Sequence, residues 1–380
     1  MTGPSLRRHQ PPFRADHVGS LLRPPALLEA RARFAEGAID ADALRDVEDR
    51  SVAEVVVLQR DAGLQTATDG ELRRTSWHMD FIYQLEGVER TDETMQVHFR
   101  NAQGDLDFES AALRVTDRVS LGEPIFSGAF SFLAETVRQA APDLTAKLTI
   151  PSPSMVHYRG GRAAIDETVY PELEPFWTDL AAAYVEQLRR MAELGCTYLQ
   201  LDDTSLAYLN DPKQRELVTE QGSDAAHQHE QYIRTINAAI ADRPPGLRVT
   251  THMCRGNYRS SWAAEGGYDF VAEALFSELA VDGFFLEYDD ERSGGFEPLR
   301  FVPEGKQVVL GLVTTKSGQL EDKDTLKRRI DEAAQHVPLD QLCLSPQCGF
   351  SSTVEGNTLT LDEELAKLRL VVEVAEDVWG

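Results

Sequence analysis

The sequence predicts an α/β protein, a (β/α)8 TIM barrel with a β-hairpin insertion, and three observations carry that expectation. Short apolar, β-branched runs recur along the chain, each ending in a polar cluster. Amphipathic segments of helical period separate most of them. The residues best suited to chemistry fall at the ends of the runs, about one or two strand–helix units apart. Alternating strand and helix implies a parallel sheet with right-handed crossovers, and eight strands make closure into a barrel the natural arrangement.

In chain order the eight runs are residues 13–20, 65–71, 146–152, 197–203, 247–254, 283–289, 307–315 and 341–349. The helical segments include 40–62, 174–194, 224–241, 323–336 and 362–378. A doubly wound open sheet is the alternative, but it would usually place a Gly-rich phosphate turn after its first strand. Asp16-His17-Val18-Gly19-Ser20-Leu21 is not such a turn. Residues 91–130 break the rhythm: 95–99, the turn Asn101-Ala102-Gln103-Gly104-Asp105, and 106–119 read as an antiparallel β insertion. With no linker rich in Gly, Ser or Pro, residues 1–380 are expected to form a single domain carrying that insertion.

The formal net charge of −25 argues against nucleic acid, whose phosphates demand a basic face. It argues equally against anionic membrane surfaces. No apolar run reaches the length of a membrane span, and residues 1–12 are polar and basic without the apolar stretch of a secretory signal. The four cysteines, Cys196, Cys254, Cys343 and Cys348, are too few and scattered for a disulfide scaffold. A cytoplasmic location is the expectation. The sequence sets no oligomeric state.

The strongest chemical signal is Thr251-His252-Met253-Cys254, completed by Glu287 and then by Cys348 in Ser345-Pro346-Gln347-Cys348-Gly349. Residues i and i+2 of a strand share a face, so His252 and Cys254 can meet one ion. Imidazole and thiolate are preferred donors for Zn2+. Taken singly, each residue reads more simply as core filler or a surface charge; four zinc-compatible groups on three strand ends do not. Glu287 is the weakest-matched donor and could yield its place to a substrate sulfur, whose thiol zinc would deprotonate near neutral pH.

Asp69-Gly70-Glu71 and Asp202-Asp203 close two further strands. They suit general acid–base work or an ammonium group, against the simpler reading of helix caps. Beside a thiol site they favour amino-acid recognition, with Ser20 or backbone N–H groups for the carboxylate. Arg14, Arg73, Arg74, Arg255, Arg259 and Arg292 could meet an acidic tail or sulfonate, and Trp77, Tyr158 and Trp262 a flat ring. For each of these a structural role is the simpler reading.

These motifs resemble the cobalamin-independent methionine synthase family, in particular short members similar to its C-terminal catalytic barrel. The resemblance runs from residue 13 to 378 through Phe13-Arg14-Ala15-Asp16-His17-Val18-Gly19-Ser20, Thr68-Asp69-Gly70-Glu71, Gln200-Leu201-Asp202-Asp203, His252-Met253-Cys254 and Ser345-Pro346-Gln347-Cys348-Gly349. It implies zinc held by His252, Cys254, Glu287 and Cys348, homocysteine held by Ser20, Glu71 and Asp202, and methyl transfer to the homocysteine sulfur from 5-methyltetrahydrofolate. Two departures stand out. The long members carry a duplicated N-terminal barrel that helps hold the polyglutamylated folate. They also place a histidine that assists methyl transfer where this chain has Lys316, the catalytic candidate by position. Similar enzymes that open epoxides with a sulfonate thiol are the first alternative, and a non-catalytic, metal-stabilised barrel is the second. Glu71 and Asp202 favour homocysteine.

Overall fold

Runs rich in Val, Leu, Ile and Phe become parallel strands when both faces are covered, since a parallel sheet offers no solvent face to polar side chains. Seven of the eight runs do so here. The computed structural model describes residues 10–101 and 104–380, which leaves out residues 1–9, where the leader was sought, and the centre of the Asn101–Asp105 turn. The parallel strands are β1 (Thr66–Ala67), β4 (Thr145–Pro151), β5 (Tyr198–Asp203), β6 (Arg248–Met253), β7 (Gly283–Glu287), β8 (Gln307–Val313) and β9 (Leu342–Pro346). They lie in the order β1-β4-β5-β6-β7-β8-β9, every pair parallel. The sheet is curled. Val18, Phe285, Val309 and Cys343, from four different runs, form a buried cluster of their own, apart from the large core under the helices.

Residues 13–20, expected as the first strand, make only one parallel bridge, Ala15 to Leu344. Local chemistry explains the difference. The Asp16 carboxylate accepts from the backbone N–H of Phe13 (3.1 Å) and of His17 (2.8 Å), so these donors are lost to a ladder. Gly19 has φ +147, outside the range of a regular strand. The segment still lies between the two ends of the sheet. Asp16 N–H donates to the Leu344 carbonyl at 3.0 Å, and Leu21 N–H to that of Gly70 at 3.0 Å.

Two long strands, β2 (Glu86–Asn101) and β3 (Gly104–Ser120), pair antiparallel with each other in a separate sheet. Residues 127–140, the end of the expected insertion included, are helical. The hairpin docks through Arg100, whose N–H donates to the Trp262 carbonyl (2.7 Å) and whose carbonyl accepts from Trp262 N–H (2.9 Å). It thereby touches the loop that follows Cys254.

Three of the long helices begin where side chains satisfy their free N–H groups. Asp40 caps Ala41–Asp61 and Asp322 caps Lys323–Ala333. Thr360 and Glu363 form a reciprocal capping box at the start of Leu361–Trp379. No helix among the described residues is long and apolar enough to cross a membrane.

In the last helix Glu364 is buried; its Oε1 accepts from Leu22 N–H at 3.0 Å and its Oε2 has no partner. Burial pushes its carboxyl up to about 8. In the unfolded chain a glutamate titrates near ~4.3, so between these values the folded protein keeps a proton the unfolded chain releases. Stability must therefore fall as pH rises through that window. Glu364→Gln keeps the acceptor and removes the titration. Its advantage in thermal unfolding should grow from pH 5 to pH 9, to a few kcal/mol at roughly 1.4 kcal/mol per unit. A variant whose advantage is the same at both pH values would show that Glu364 is ionised in the fold.

Candidate metal centre

His252 lies on β6, Cys254 directly after it, Glu287 ends β7, and Cys348 follows β9 by two residues. One ligand atom from each of the four, all buried, falls within 4.8 Å of every other. The sulfurs of Cys254 and Cys348 are 3.5 Å apart, close to the ~3.8 Å edge of a tetrahedron with Zn–S bonds of ~2.3 Å. Both ring nitrogens of His252 are buried without a hydrogen-bond partner, a costly arrangement unless an ion satisfies one of them. The donor set fits zinc.

The backbone beyond β6 holds two of the ligands. Gly256 N–H donates to Cys254 Sγ (3.3 Å) and Arg255 N–H to Glu287 Oε1 (3.1 Å). The buried Arg255 guanidinium donates to the Glu287 carbonyl (2.9 Å) and to Tyr268 Oη (3.2 Å), locking the end of β7. Gly256 is required at φ +92, because a Cβ there would lie 2.6 Å from Tyr208 Oη. Contact with Cys254 holds the Cys348 thiol well below its ordinary range, and the same contact raises Cys254. Burial raises the Glu287 carboxyl.

His252, Cys254 and Cys348 face a cavity of about 260 Å3, and Ser20, Glu71 and Asp202 line the same space. Glu287 is not on its wall. Glu71 sits in left-handed backbone at φ +58, its Oε1 accepting from Thr149 Oγ1 (2.7 Å) beside Arg74 Nη1 (3.5 Å), its Oε2 buried without a partner. Asp202 Oδ1 accepts from Gln200 Nε2 at 2.6 Å. Burial, and then the charge of Glu71, push the Asp202 carboxyl up to about 7. A buried acid raised by the charge of a second one asks for a cation near both. Ser20 Oγ accepts from Ser351 N–H at 3.3 Å.

Lys316 is not among the residues on this wall. Its buried Nζ lies 3.9 Å from Asp289 Oδ2 and makes no hydrogen bond; its charge is the strongest one acting on the Glu287 carboxyl, where it opposes the effect of burial, and a minor one at Cys348. Three of the six arginines considered from the sequence are engaged elsewhere: Arg14 with the Leu342 carbonyl, Arg73 with Glu48 and Asp49, and Arg292 with Asp290. Sequence reasoning missed His78, Arg159, Tyr208 and Asn257, all on the cavity wall. They lie on short helices and loops, where only a trailing polar cluster could have pointed to them.

A curled parallel sheet that gathers two cysteines, an imidazole and a carboxylate beside a charged cavity defines an α/β protein with a site that could hold a metal ion. Comparison with known proteins narrows it. Residues 141–377 match the family described as "Cobalamin-independent synthase, Catalytic domain". The chain belongs to this family, that of cobalamin-independent methionine synthases. It is 46% identical to YxjH of Bacillus subtilis, an uncharacterized protein, over 98% of this chain and 96% of that one. It is 25% identical to a methionine synthase of Pyrococcus abyssi over 93% and 88% of the two chains. A solved structure from Listeria monocytogenes, named after vitamin-B12-independent methionine synthase, superposes with a TM-score of 0.77 at 37% identity, covering 98% of this chain and all of that one. A Shewanella structure at 18% identity and TM-score 0.70 shares the fold.

Proposed function

We propose that the chain is a zinc-dependent, cytoplasmic S-methyltransferase that makes methionine from homocysteine, with 5-methyltetrahydrofolate as donor. We read the sheet, closed by residues 13–20, as a single (β/α)8 barrel with the β2–β3 hairpin inserted. The observation that carries the function is one shared cavity: three metal donors on one part of its wall, and two acids with a buried, unpaired oxygen between them on another. Bound zinc would supply thiol activation, since a coordinated thiol loses its proton near neutral pH.

The chain's own residues do the rest. His252, Cys254, Glu287 and Cys348 hold the ion. Glu71 and Asp202 take the ammonium group of the amino acid, whose charge offsets the effect of Glu71 on the Asp202 carboxylate. Ser20, pinned through Ser351 N–H, meets its carboxylate. The substrate sulfur is thereby aimed at the two cysteines, and burial of the centre keeps water from competing. Positioning of this kind supplies much of the acceleration in a displacement reaction. Lys316, behind the centre, sets its electrostatic field without touching the substrate.

Zinc-edge X-ray absorption with and without L-homocysteine tests the reading. Two sulfur neighbours should become three on addition, and 5-methyltetrahydrofolate should then yield methionine. A spectrum that homocysteine leaves unchanged while a sulfonate thiol adds a sulfur would overturn the amino-acid assignment in favour of alkyl transfer to another thiol.

A further inference from the structure

We propose that Gln200 is a positioning residue that fixes the spacing between the two ends of the amino-acid site, and that this spacing makes the site select the L form of its amino thiol acid. The proposal rests on the homocysteine reading above and deepens it. Tyr198, Gln200 and Asp202 share one face of β5 by alternation, and they meet residues 16–20 at matching two-residue steps. Tyr198 Oη donates to Asp16 Oδ2 at 2.9 Å. Gln200 Nε2 donates to the Val18 carbonyl at 2.7 Å. The next pair in the series, Asp202 and Ser20, makes no such bond among the described residues; both side chains line the metal cavity instead. The substrate completes this third step, its ammonium at Asp202 and its carboxylate at Ser20.

Residues 17–20 have no strand ladder to hold them, since the one bridge of the segment is at Ala15. Side chains take their carbonyls instead: Lys147 Nζ that of His17 (2.6 Å), Gln200 that of Val18, and Thr68 Oγ1 that of Gly19 (2.6 Å). Of the three, Gln200 is the one that also bonds a side chain of the amino-acid wall, through Nε2 to Asp202 Oδ1 at 2.6 Å. An amide nitrogen carries two hydrogens, and here each goes to a pure acceptor, one a carbonyl and one a carboxylate. That fixes the orientation of the amide. Its Oε1 is buried without a partner, a cost borne by a residue that is itself fully buried. With Oδ1 engaged, the Asp202 carboxylate cannot rotate freely, and Ser20 stands two residues from the other partner of the same amide. Sulfur at the metal, ammonium at Asp202 and carboxylate at Ser20 are then three attachments at set distances. One enantiomer satisfies all three, and its mirror image satisfies two. Selectivity is the difference between those affinities, so it depends on the spacing being kept.

Calorimetric titration of the zinc-loaded protein with L-homocysteine, D-homocysteine and 2-mercaptoethanol, a thiol with neither charged group, tests this. Gln200→Met keeps the length of the side chain and removes both donors. Gln200→Asn keeps the amide but is one methylene too short to span both partners. Wild type should prefer the L form, and in each variant that preference should shrink by roughly 10- to 100-fold, the worth of a hydrogen bond to a charged group. Zinc content and 2-mercaptoethanol affinity should not change, whereas a general loosening of the fold would move both. In an Asp202→Asn background the further change Gln200→Met should cost little, because the two residues act through one contact. The proposal is overturned if the L preference survives Gln200→Met, if all three thiols weaken together, or if the losses at Gln200 and Asp202 simply add. Should Gln200→Met not fold, Gln200→Asn decides by the same criteria. A wild type that binds the two enantiomers alike overturns the homocysteine reading and the proposal with it, while an L preference indifferent to Gln200 overturns the proposal alone.

Discussion

Cys348→Ala is expected to leave the protein folded, without zinc, and slower in methyl transfer by roughly a thousandfold or more, because a three-donor remnant of a four-donor site holds its ion far less tightly. The fold should survive because Cys348 is carried by its neighbours. Gln347 N–H donates to the Val313 carbonyl at 2.8 Å, and the Gly349 carbonyl accepts from Asn257 Nδ2 at 2.8 Å. Alanine keeps this backbone and removes only the sulfur. Glu287→Gln makes the contrast. It keeps both sulfurs, the imidazole and an amide oxygen able to accept from Arg255 N–H, so zinc should stay with reduced affinity and an altered rate. Metal content after dialysis against a chelator, with circular dichroism as the folding check, decides the matter. If Cys348→Ala retained the full zinc content of wild type, the assignment of the centre would be wrong.

That centre was legible because its signal is local in sequence and its chemistry rare. His252 and Cys254 share a strand face by simple alternation, and Glu287 and Cys348 stand at later strand ends. The strands were legible for the same reason, since β8 and β9 are continuous apolar runs buried along their whole length. What the pattern did not show depends on side chains overriding the backbone. Residues 13–20 have a strand's composition, but the Asp16 carboxylate takes two of their N–H donors. Lys316 follows β8 as the family order suggests, yet it points toward Asp289 rather than into the cavity. Arg159 was missed because nothing in Tyr158-Arg159-Gly160 tells a paired arginine from a bare one. Only long-range packing shows that no acid reaches it.

Removing the two acids should weaken homocysteine without disturbing the metal. Glu71→Gln and Asp202→Asn should each raise the dissociation constant of homocysteine by about 10- to 100-fold, the worth of one hydrogen bond to a charged group at 1.5–3 kcal/mol. 4-Mercaptobutyrate has the thiol and carboxylate of homocysteine but no ammonium group, so its affinity should hardly change in either variant. The ratio of the two affinities therefore isolates the ammonium site from the thiol's own ionisation. That ratio should also depend on pH in wild type. The Asp202 carboxyl, pushed up to about 7 by burial and by Glu71, takes up a proton as pH falls through that value and ceases to attract a cation, so the preference for homocysteine should shrink on acidification. In Asp202→Asn that step should vanish. In Glu71→Gln it should move to lower pH, because the neighbouring charge that raises Asp202 is gone. A preference for homocysteine that survives both substitutions at every pH would place the ammonium group elsewhere and leave the unpaired Oε2 of Glu71 without a ligand to explain it.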